Sequence, residues 1–291
     1  MYKRLLLFCV VLLAVYISYV AVKIQKDTPN DQNVPSAKNE TTDGEESEQY
    51  KVYDFSFSKY NMSGTKELEI EGESADMFAK VVKLNNVIAK AYAEDMPVTI
   101  TADTGSFDKE SSTVHLRKNV VATTDDGVRL KTEALDIHAD TSTVETDVLA
   151  EIEKDDVYLE GVGALCENNF RKITFYKNVK VIVRHSEDAD ATVVITCDGT
   201  LDVDTDKNKA TFHDNVIAVD KNGTLKADAM DVYYDKVLKQ MKKMYAYGNV
   251  VIERGGDKTF CDSAVYLMDE DRVILDGDPE AFVTSADETK Q

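Results

Sequence analysis

From about residue 50 to residue 285 the chain alternates apolar and polar positions with a period of two, the pattern of half-buried β-strands. Residues 98–102 read VTITA, so Val98, Ile100 and Ala102 share one face of the predicted strand. Turn-forming groups such as KNG at 221–223 separate successive runs. Apart from the N-terminal apolar stretch, only residues 236–243 have a short helix-like period. The pattern predicts an all-β fold of antiparallel hairpins.

A six-fold repeat underlies this pattern. In each copy a small residue is followed by an acid: Ala102-Asp103, Thr132-Glu133, Cys166-Glu167, Cys197-Asp198, Ala227-Asp228 and Cys261-Asp262. The acids lie 30, 34, 31, 30 and 34 residues apart, and RLKTEALDI (129–137) resembles TLKADAMDV (224–232) at an offset of 95. A duplicated three-unit half is the simplest explanation. The small size of the recurring residue indicates that another group approaches the inner face closely, and this group is either the opposite sheet or a ligand.

A second motif starts the other strand of the repeating unit. It is an Asn-Val pair, found at Asn119-Val120, Asn178-Val179, Asn215-Val216 and Asn249-Val250. Two-strand units with one apolar face are compatible with a closed barrel, a β-solenoid or a long sandwich around a hydrophobic groove. Periods of 30 to 34 residues are too long for hexapeptide rungs and favour antiparallel hairpins stacked side by side.

Strand parity assigns a set of residues to the inner face. They are Val98, Ile100, Ala102, Val193, Ile195, Cys197, Leu225 and Ala227. If the fold encloses a groove, these side chains line it and contact an apolar ligand. In the simpler interpretation they are ordinary core contacts, and parity alone does not separate the two.

The N-terminus carries a predicted membrane anchor. Residues 5–22 contain no charge and are long enough for a membrane-spanning helix, without a signal-peptidase site after them. Lys3 and Arg4 precede this span, so we expect a cytoplasmic N-terminus and a chain that lies outside the cytoplasm. Residues 1–26 form the anchor in this interpretation. Residues 27–49 are polar and Pro-containing, and they form a disordered tether with a reach of roughly 25 Å.

The net charge of −20, from 34 basic and 54 acidic residues, argues against nucleic-acid binding. No catalytic residues, cofactor motif or Walker-type phosphate loop can be identified. The loop 202–208 resembles the start of a calcium loop, but Lys207 and His213 occupy positions that need Gly and Glu. The four histidines lack metal-ligand spacing. We therefore expect no enzyme activity, cofactor or metal.

Three cysteines follow the predicted anchor. Cys166 and Cys197 hold equivalent positions in consecutive units, so a disulfide between them is possible if their strands are neighbours. Cys261 is the third, and the odd number leaves at least one thiol free. Otherwise these residues act as small apolar side chains at the inner face.

The repeated small-acid and Asn-Val motifs resemble the OstA-like twisted β-jellyroll of the LptC and LptA lipopolysaccharide export families, over roughly residues 50–285. The closing Gly277-Asp278-Pro279, followed by Ala281, Phe282 and Val283, also fits. An anchor, a tether and then β-strands is the order of LptC, but this chain is longer. We interpret residues 50–165 as an LptC-like portion and residues 166–291 as an LptA-like portion.

The resemblance implies a non-enzymatic periplasmic bridge, anchored in the inner membrane by one span. Lipopolysaccharide acyl chains would lie in the apolar groove on their way toward the outer membrane. Implied partners are lipopolysaccharide, an inner-membrane ABC transporter that supplies energy, and other jellyroll proteins in the periplasm or outer membrane. The latter would pair with edge strands near residues 53–57 and 273–283. The acidic chain should repel lipid phosphates unless Arg171, Lys172 and Lys177 gather at the groove mouth or divalent cations intervene.

Two alternatives remain open. A membrane-anchored β-repeat scaffold for envelope proteins would have a fully packed core, whereas a lipid bridge needs an apolar groove that opens at an edge. An extracytoplasmic enzyme would need a pocket with converging titratable groups.

Overall fold

A computed structural model describes residues 50–60, 64–92, 97–125, 127–138, 141, 143–167, 171–185, 188–235, 240–267, 270 and 272–283. The predicted membrane span and the tether lie outside these residues. Across the described ranges, no helix has the length and apolar character needed to cross a membrane.

The described residues form seventeen β-strands, which follow one another along the chain. They are β1 Tyr50–Tyr60, β2 Lys66–Met77, β3 Val81–Ala91, β4 Val98–Asp108, β5 Thr113–Thr124, β6 Arg129–His138, β7 Thr143–Lys154, β8 Val157–Glu167, β9 Lys172–His185, β10 Asp188–Cys197, β11 Leu201–Asp204, β12 Lys209–Asp220, β13 Gly223–Asp235, β14 Gln240–Arg254, β15 Asp257–Leu267, β16 Arg272–Asp276 and β17 Glu280–Phe282. The predicted all-β architecture of antiparallel hairpins is confirmed. The helix-like period near residues 236–243 predicts the wrong structure for residues 240–243, which begin strand β14.

The chain divides into two compact units. Among the described residues, unit 1 comprises those up to 125 and those within 133–144, and unit 2 comprises those within 127–132 and those from 145 onwards. In unit 1, strands β1 to β5 pair antiparallel in chain order. Their alternate positions form a core, because side chains at every second residue of a strand point to one face. Its most deeply buried members are Ile70, Val82, Phe107, Val114 and Val120.

Unit 2 repeats the same arrangement with two interrupted strands. β10 and β11 both pair with β9 on one side and β12 on the other, so together they act as one strand. β12 to β15 pair in chain order, and β16 and β17 pair with the two halves of β15. One apolar cluster fills this unit, with Phe175, Leu201, Val216, Met230 and Val250 at its centre.

The two sequence motifs meet at a line of β-bulges. Between β12 and β13, His213 faces Ala229 and Val216 faces Ala227, so β12 has one residue more than its partner. The extra length is taken up by Asp214 and Asn215, whose φ angles are +62° and +50°. Asparagine and aspartate tolerate this left-handed conformation better than most residues. The Asn-Val motif is therefore a bulge signal.

At this line the asparagine of one strand donates a hydrogen bond to the acid of the preceding strand. The donor-acceptor distances are 2.8 Å for Asn119 Nδ2 to Asp103 Oδ2, 2.9 Å for Asn215 Nδ2 to Asp198 Oδ2, and 2.8 Å for Asn249 Nδ2 to Asp228 Oδ2. Asn86 donates to Glu73 in the same way. We call each such pair an acid–asparagine clamp. Three of the six repeated acids, Asp103, Asp198 and Asp228, therefore fix strand geometry.

Cys166-Glu167 does not belong to this line. Cys166 faces Ile173 at the end of β8, and Val162 faces Lys177 next to the bulge. Cys197 faces Val179 on the same strand β9, six residues further along, which is a separation of about 20 Å. Cys166, Cys197 and Cys261 are all free thiols. The sequence-based equivalence of Cys166 and Cys197 is therefore wrong, and so is the disulfide that it suggested.

Candidate functional site

The candidate site is the inner face of unit 2, defined as the face that carries its buried apolar cluster. Cross-strand neighbours follow one another across it in a continuous row from β8 to β14. Each member faces the next one, in the order Leu159, Val181, Ile195, Ala218, Leu225 and Ile252. We call this the hairpin-end row, because it lies between the bulge line and the turns at 155–156, 221–222 and 255–256. Every member is apolar, so the face presents hydrocarbon without interruption.

Beyond the bulge line the inner face is closely packed. Phe175 and Phe212 both face Leu201, and Phe212 in turn faces Met230. These four side chains are at most 2% exposed. The protein's own side chains therefore fill the middle of the unit.

Exposure rises from the bulge line towards the hairpin ends. Along β9, Val179 is buried, whereas Val181 and Val183 are half-buried. On the neighbouring strand Leu159 is half-buried, and Val157, which faces Val183, is 41% exposed. The inner face thus has a packed centre and an apolar margin that is partly accessible to solvent: Leu225 and Ile252 are half-buried there, whereas Ile195 and Ala218 are buried. Only this margin can contact an apolar ligand without prior rearrangement.

The eight predicted inner-face residues divide between the two units. Val193, Ile195, Cys197, Leu225 and Ala227 all pack in or against the apolar cluster of unit 2. Ala218 separates Ile195 from Leu225 in the hairpin-end row. Ile195, Cys197 and Ala227 are buried, while Val193 and Leu225 are half-buried.

The remaining three predicted residues lie on β4 of unit 1. Ile100 faces Ala89 on β3 and Ala122 on β5, and Ala89 faces Ile70 on β2. Ala102 is buried, whereas Val98 and Ile100 are half-buried. Unit 1 therefore has an apolar cross-strand row of its own.

Sequence analysis missed four members of the hairpin-end row. They are Leu159, Val181, Ala218 and Ile252. Three of them lie on strands that are marked by an Asn-Val pair. Each is the second residue after the valine of that pair and so shares its face: Val181 after Val179, Ala218 after Val216, and Ile252 after Val250. This signal was readable from the sequence. Leu159 has no comparable marker, because β8 contains no Asn-Val pair.

The recurring small residue of the repeat is buried wherever it lies at the bulge line. Ala102, Cys197, Ala227 and Cys261 are each no more than 8% exposed. Burial raises the pKa of the Cys197 thiol to about 11, and it also raises the pKa of Cys261. Both thiols are neutral at physiological pH. They therefore add apolar surface to the inner face and no charge.

Charged residues on the outer face are mostly paired with each other. Glu253 lies 3.4 Å from the Lys226 ammonium and 3.1 Å from the Lys258 ammonium, and these two contacts lower its pKa. Lys180 lies 3.7 Å from Glu160. These side chains project away from the apolar row, on residues that alternate with it.

The basic residues suggested for a groove mouth lie apart along β9. Arg171 lies 3.6 Å from Asp206, and Lys172 faces both Glu167 and Asp204 across the strands. Lys177 is exposed next to the bulge, five residues further along.

The calcium-like loop forms a hydrogen-bonded turn. The Asp204 carboxylate accepts hydrogen bonds of 3.1 Å from the backbone N–H groups of Asp206 and Lys207. The Lys207 ammonium lies 3.1 Å from the same carboxylate. The Lys207 ammonium therefore already neutralises the Asp204 carboxylate. Throughout the described ranges, no group of three or more His, Cys, Asp or Glu side chains is placed to hold a metal ion.

The first and last strands of the described residues expose apolar side chains. Tyr53 on β1 is 65% exposed. At the other end, Val273 is 50% and Ile274 is 45% exposed, and these neighbours point to opposite faces of β16. Phe282 packs edge-on against Phe260 with the ring centres 5.7 Å apart. Among the described residues β16 and β17 pair on one side only, with β15.

Comparison with known families agrees with this geometry. Residues 9–184 match the family described as lipopolysaccharide-assembly, LptC-related, and residues 194–290 match the LptA/(LptD N-terminal domain) LPS transport protein family. No curated protein matches the chain. Both families are transport families without enzyme activity. The chain belongs to the LptC-related lipopolysaccharide-assembly family and continues into a second lipopolysaccharide-transport domain of the LptA/LptD N-terminal type.

Proposed function

We propose that this chain is a non-enzymatic bridge component that carries lipopolysaccharide acyl chains along its apolar inner face, from the inner membrane toward the outer membrane. In this proposal residues 1–26 anchor it by a single span with the N-terminus in the cytoplasm, and residues 27–49 tether it. Residues 50–165 and 166–291 are an LptC-like and an LptA-like β-jellyroll portion in the periplasm. The uninterrupted, partly exposed hairpin-end row carries the proposal.

The energetics support a passive carrier. Each buried CH₂ group contributes about 0.8 kcal/mol of transfer free energy, so even a few acyl carbons on this margin give useful affinity. Because contact with apolar side chains is non-directional, a lipid is able to slide from one position to the next. Net movement then needs an external energy source, which we assign to an inner-membrane ABC transporter.

Edge-strand pairing is the proposed route to the next component. β1 and β16–β17 expose apolar side chains, and an unpaired strand edge is a template for another strand. Periplasmic or outer-membrane proteins of the same jellyroll type would extend the sheet there. Burial of Val273 and Ile274 on opposite faces of the edge would add to the main-chain hydrogen bonds.

A pair of matched substitutions tests lipid carriage. Leu225→Glu places a charge on the hairpin-end row, whereas Val219→Glu makes the same kind of change on the exposed outer face of β12. The full-length protein is isolated from cells that make lipopolysaccharide, and the bound lipid is quantified. We expect Leu225→Glu to retain at most about one fifth of the lipid and Val219→Glu to retain most of it. Equal retention by both variants, with unfolding temperatures unchanged, would remove the support for this site.

An anchored scaffold without lipid binding is the second candidate. The specific observation in its favour is the packed centre of unit 2, where Phe175, Phe212 and Met230 leave little exposed surface. A scaffold predicts that no lipopolysaccharide copurifies with the wild-type chain, so the same assay separates the two functions.

A further inference from the structure

The last bulge of unit 2 differs chemically from the bulges that precede it. Between β15 and the β16–β17 segment, Ser263 faces Asp276 and Phe260 faces Glu280, so the outer segment has one extra residue. The bulge between β13 and β14 has the same step, because Ala229 faces Tyr247 and Lys226 faces Val251. The two bulges are therefore structurally equivalent.

Backbone geometry supports the equivalence. Gly248 and Asn249 have φ angles of +78° and +46°, and Gly277 and Asp278 have φ angles of +84° and +46°. A Cβ atom on Gly248 would overlap the Asp228 carboxylate, and one on Gly277 would overlap the Asp262 carboxylate in the same way. Each acid thus lies against the backbone of the next segment.

The difference is in the side chain that should close the clamp. Asn249 donates its amide to Asp228 at 2.8 Å, but the corresponding position at the last bulge holds Asp278, a carboxylate without a donor at neutral pH. In the parts of the chain that the structure describes, no side chain donates a hydrogen bond to Asp262. Like charges on facing strands repel each other. The last clamp is therefore open.

The open clamp lies on the acidic edge proposed above for sheet extension. Asp276, Asp278 and Glu280 are all exposed on the final segment, beside the exposed apolar side chains of Val273 and Ile274. A docking strand with acidic side chains next to these three residues would be repelled. A basic side chain at the same position would be attracted by two or more carboxylates. Charge complementarity of this kind selects partners more than it adds affinity.

We infer that Asp278 is a specificity determinant of the C-terminal edge: it leaves the Asp262 clamp open, so that the docking β-strand of a partner protein must bring a lysine or arginine to close it. This inference rests on the proposed edge pairing and names the charge that the partner strand carries. It does not depend on lipid binding.

A first test concerns the clamp itself. Asp278→Asn supplies the missing amide, and Asp276→Asn is the matched control, because it removes one charge from the same segment at a position that is not the clamp residue. We expect Asp278→Asn in the full-length protein to raise the unfolding temperature by about 2–4 °C relative to the control. Equal unfolding temperatures for the two variants would contradict the claim that the Asp262 clamp is open in the wild-type protein.

A second test concerns the partner. Two fluorescent ten-residue strand peptides of alternating Val and Thr, one with Lys and one with Glu at the central polar position, are titrated with the full-length protein. We expect wild type to bind the Lys peptide at least about tenfold more tightly, and Asp278→Asn to narrow this ratio to about threefold or less. Equal affinities for wild type, or self-association that occupies the edge, would overturn the assignment. Copurified lipopolysaccharide, measured separately, should be unchanged in Asp278→Asn, because its loss would concern the proposed function instead.

Discussion

Single hydrogen bonds explain why acids recur along this chain. In a clamp, a carboxylate on one strand holds an asparagine whose backbone is left-handed, and the extra residue of the bulge is fixed between them. Exposed hydrogen bonds of this kind contribute modestly one at a time. Their repetition at Asp103, Asp198 and Asp228 fixes where each strand bends.

Asn249 provides the clearest test of one clamp. Asn249→Gly keeps the left-handed backbone and removes the amide, so we expect the free energy of unfolding to fall by about 1 kcal/mol. Asn249→Ala should cost about 1 kcal/mol more, because alanine resists a positive φ. Urea unfolding measures both. In an Asp228→Ala background Asn249→Gly should cost almost nothing, and an undiminished cost there would contradict the clamp.

The thiols of the inner face give a prediction at the same scale. Burial raises the pKa of Cys197 to about 11 and of Cys166 to about 12. Because both folded values lie above the unfolded value of about 8.5, the stability contributed by the neutral thiols is fully present below pH 8.5. It is lost as the pH rises towards 11–12.

We therefore expect slow alkylation in the native protein. At pH 8 iodoacetamide should modify Cys197 about two orders of magnitude more slowly in the folded chain than in urea, because so little thiolate is present. Peptide mass spectrometry follows each cysteine separately. Similar rates in the folded and the urea-unfolded chain would show that the inner face does not bury this thiol.

Within a single strand, the alternation of side chains between the two faces decides which residues reach the core. On β14, Ala246 and Val250 are both buried at a spacing of four, which keeps them on one face, and the bulge at Gly248 and Asn249 lies between them. On β13, Ala227 and Met230 are buried at a spacing of three. The spacing of three changes the parity of β13, and the extra residue of β14 compensates for it, so the inner face stays continuous across the two strands.

One inserted glycine tests this role of the bulge. An insertion between Gly248 and Asn249 shifts the following residues by one position, which turns Val250 and Ile252 away from the core. We expect a loss of about 3 kcal/mol in the free energy of unfolding. The matched control is a glycine inserted between Gly255 and Gly256, where it lengthens a hairpin turn and should cost less than about 1 kcal/mol. Comparable losses for both insertions would mean that register is not set at the bulge.

Much of this element-level structure was predictable. Period-two alternation identified the strands, and parity assigned Ile195 and Cys197 to one face, where both are buried. The pairing of acid with asparagine was not predictable, because it joins residues 13 to 21 positions apart whose contact depends on strand register. Cys166 was misplaced for a related reason: β8 has Val162 at the bulge where other strands have an acid, so the nearest acid, Glu167, gave a false alignment.

At the scale of the whole molecule, the chain combines two matched families and two compact units. Sequence pattern indicated the family, but it did not distinguish an open inner face from a packed one. That difference depends on which side chains from separate strands fill the interior, such as Phe175 and Phe212 against Leu201. The result is a packed centre with an apolar margin, and the margin is where the proposed lipid contact lies.

Photo-crosslinking in living cells tests lipid carriage most directly. A photoreactive amino acid replaces Ile100, Val193 or Leu225 on the inner faces of the two units, or Val219 on the outer face as the control. We predict adducts with lipopolysaccharide at the three inner positions and none at Val219. Crosslinks to protein alone at all three inner positions, from variants that are stably produced, would contradict the account.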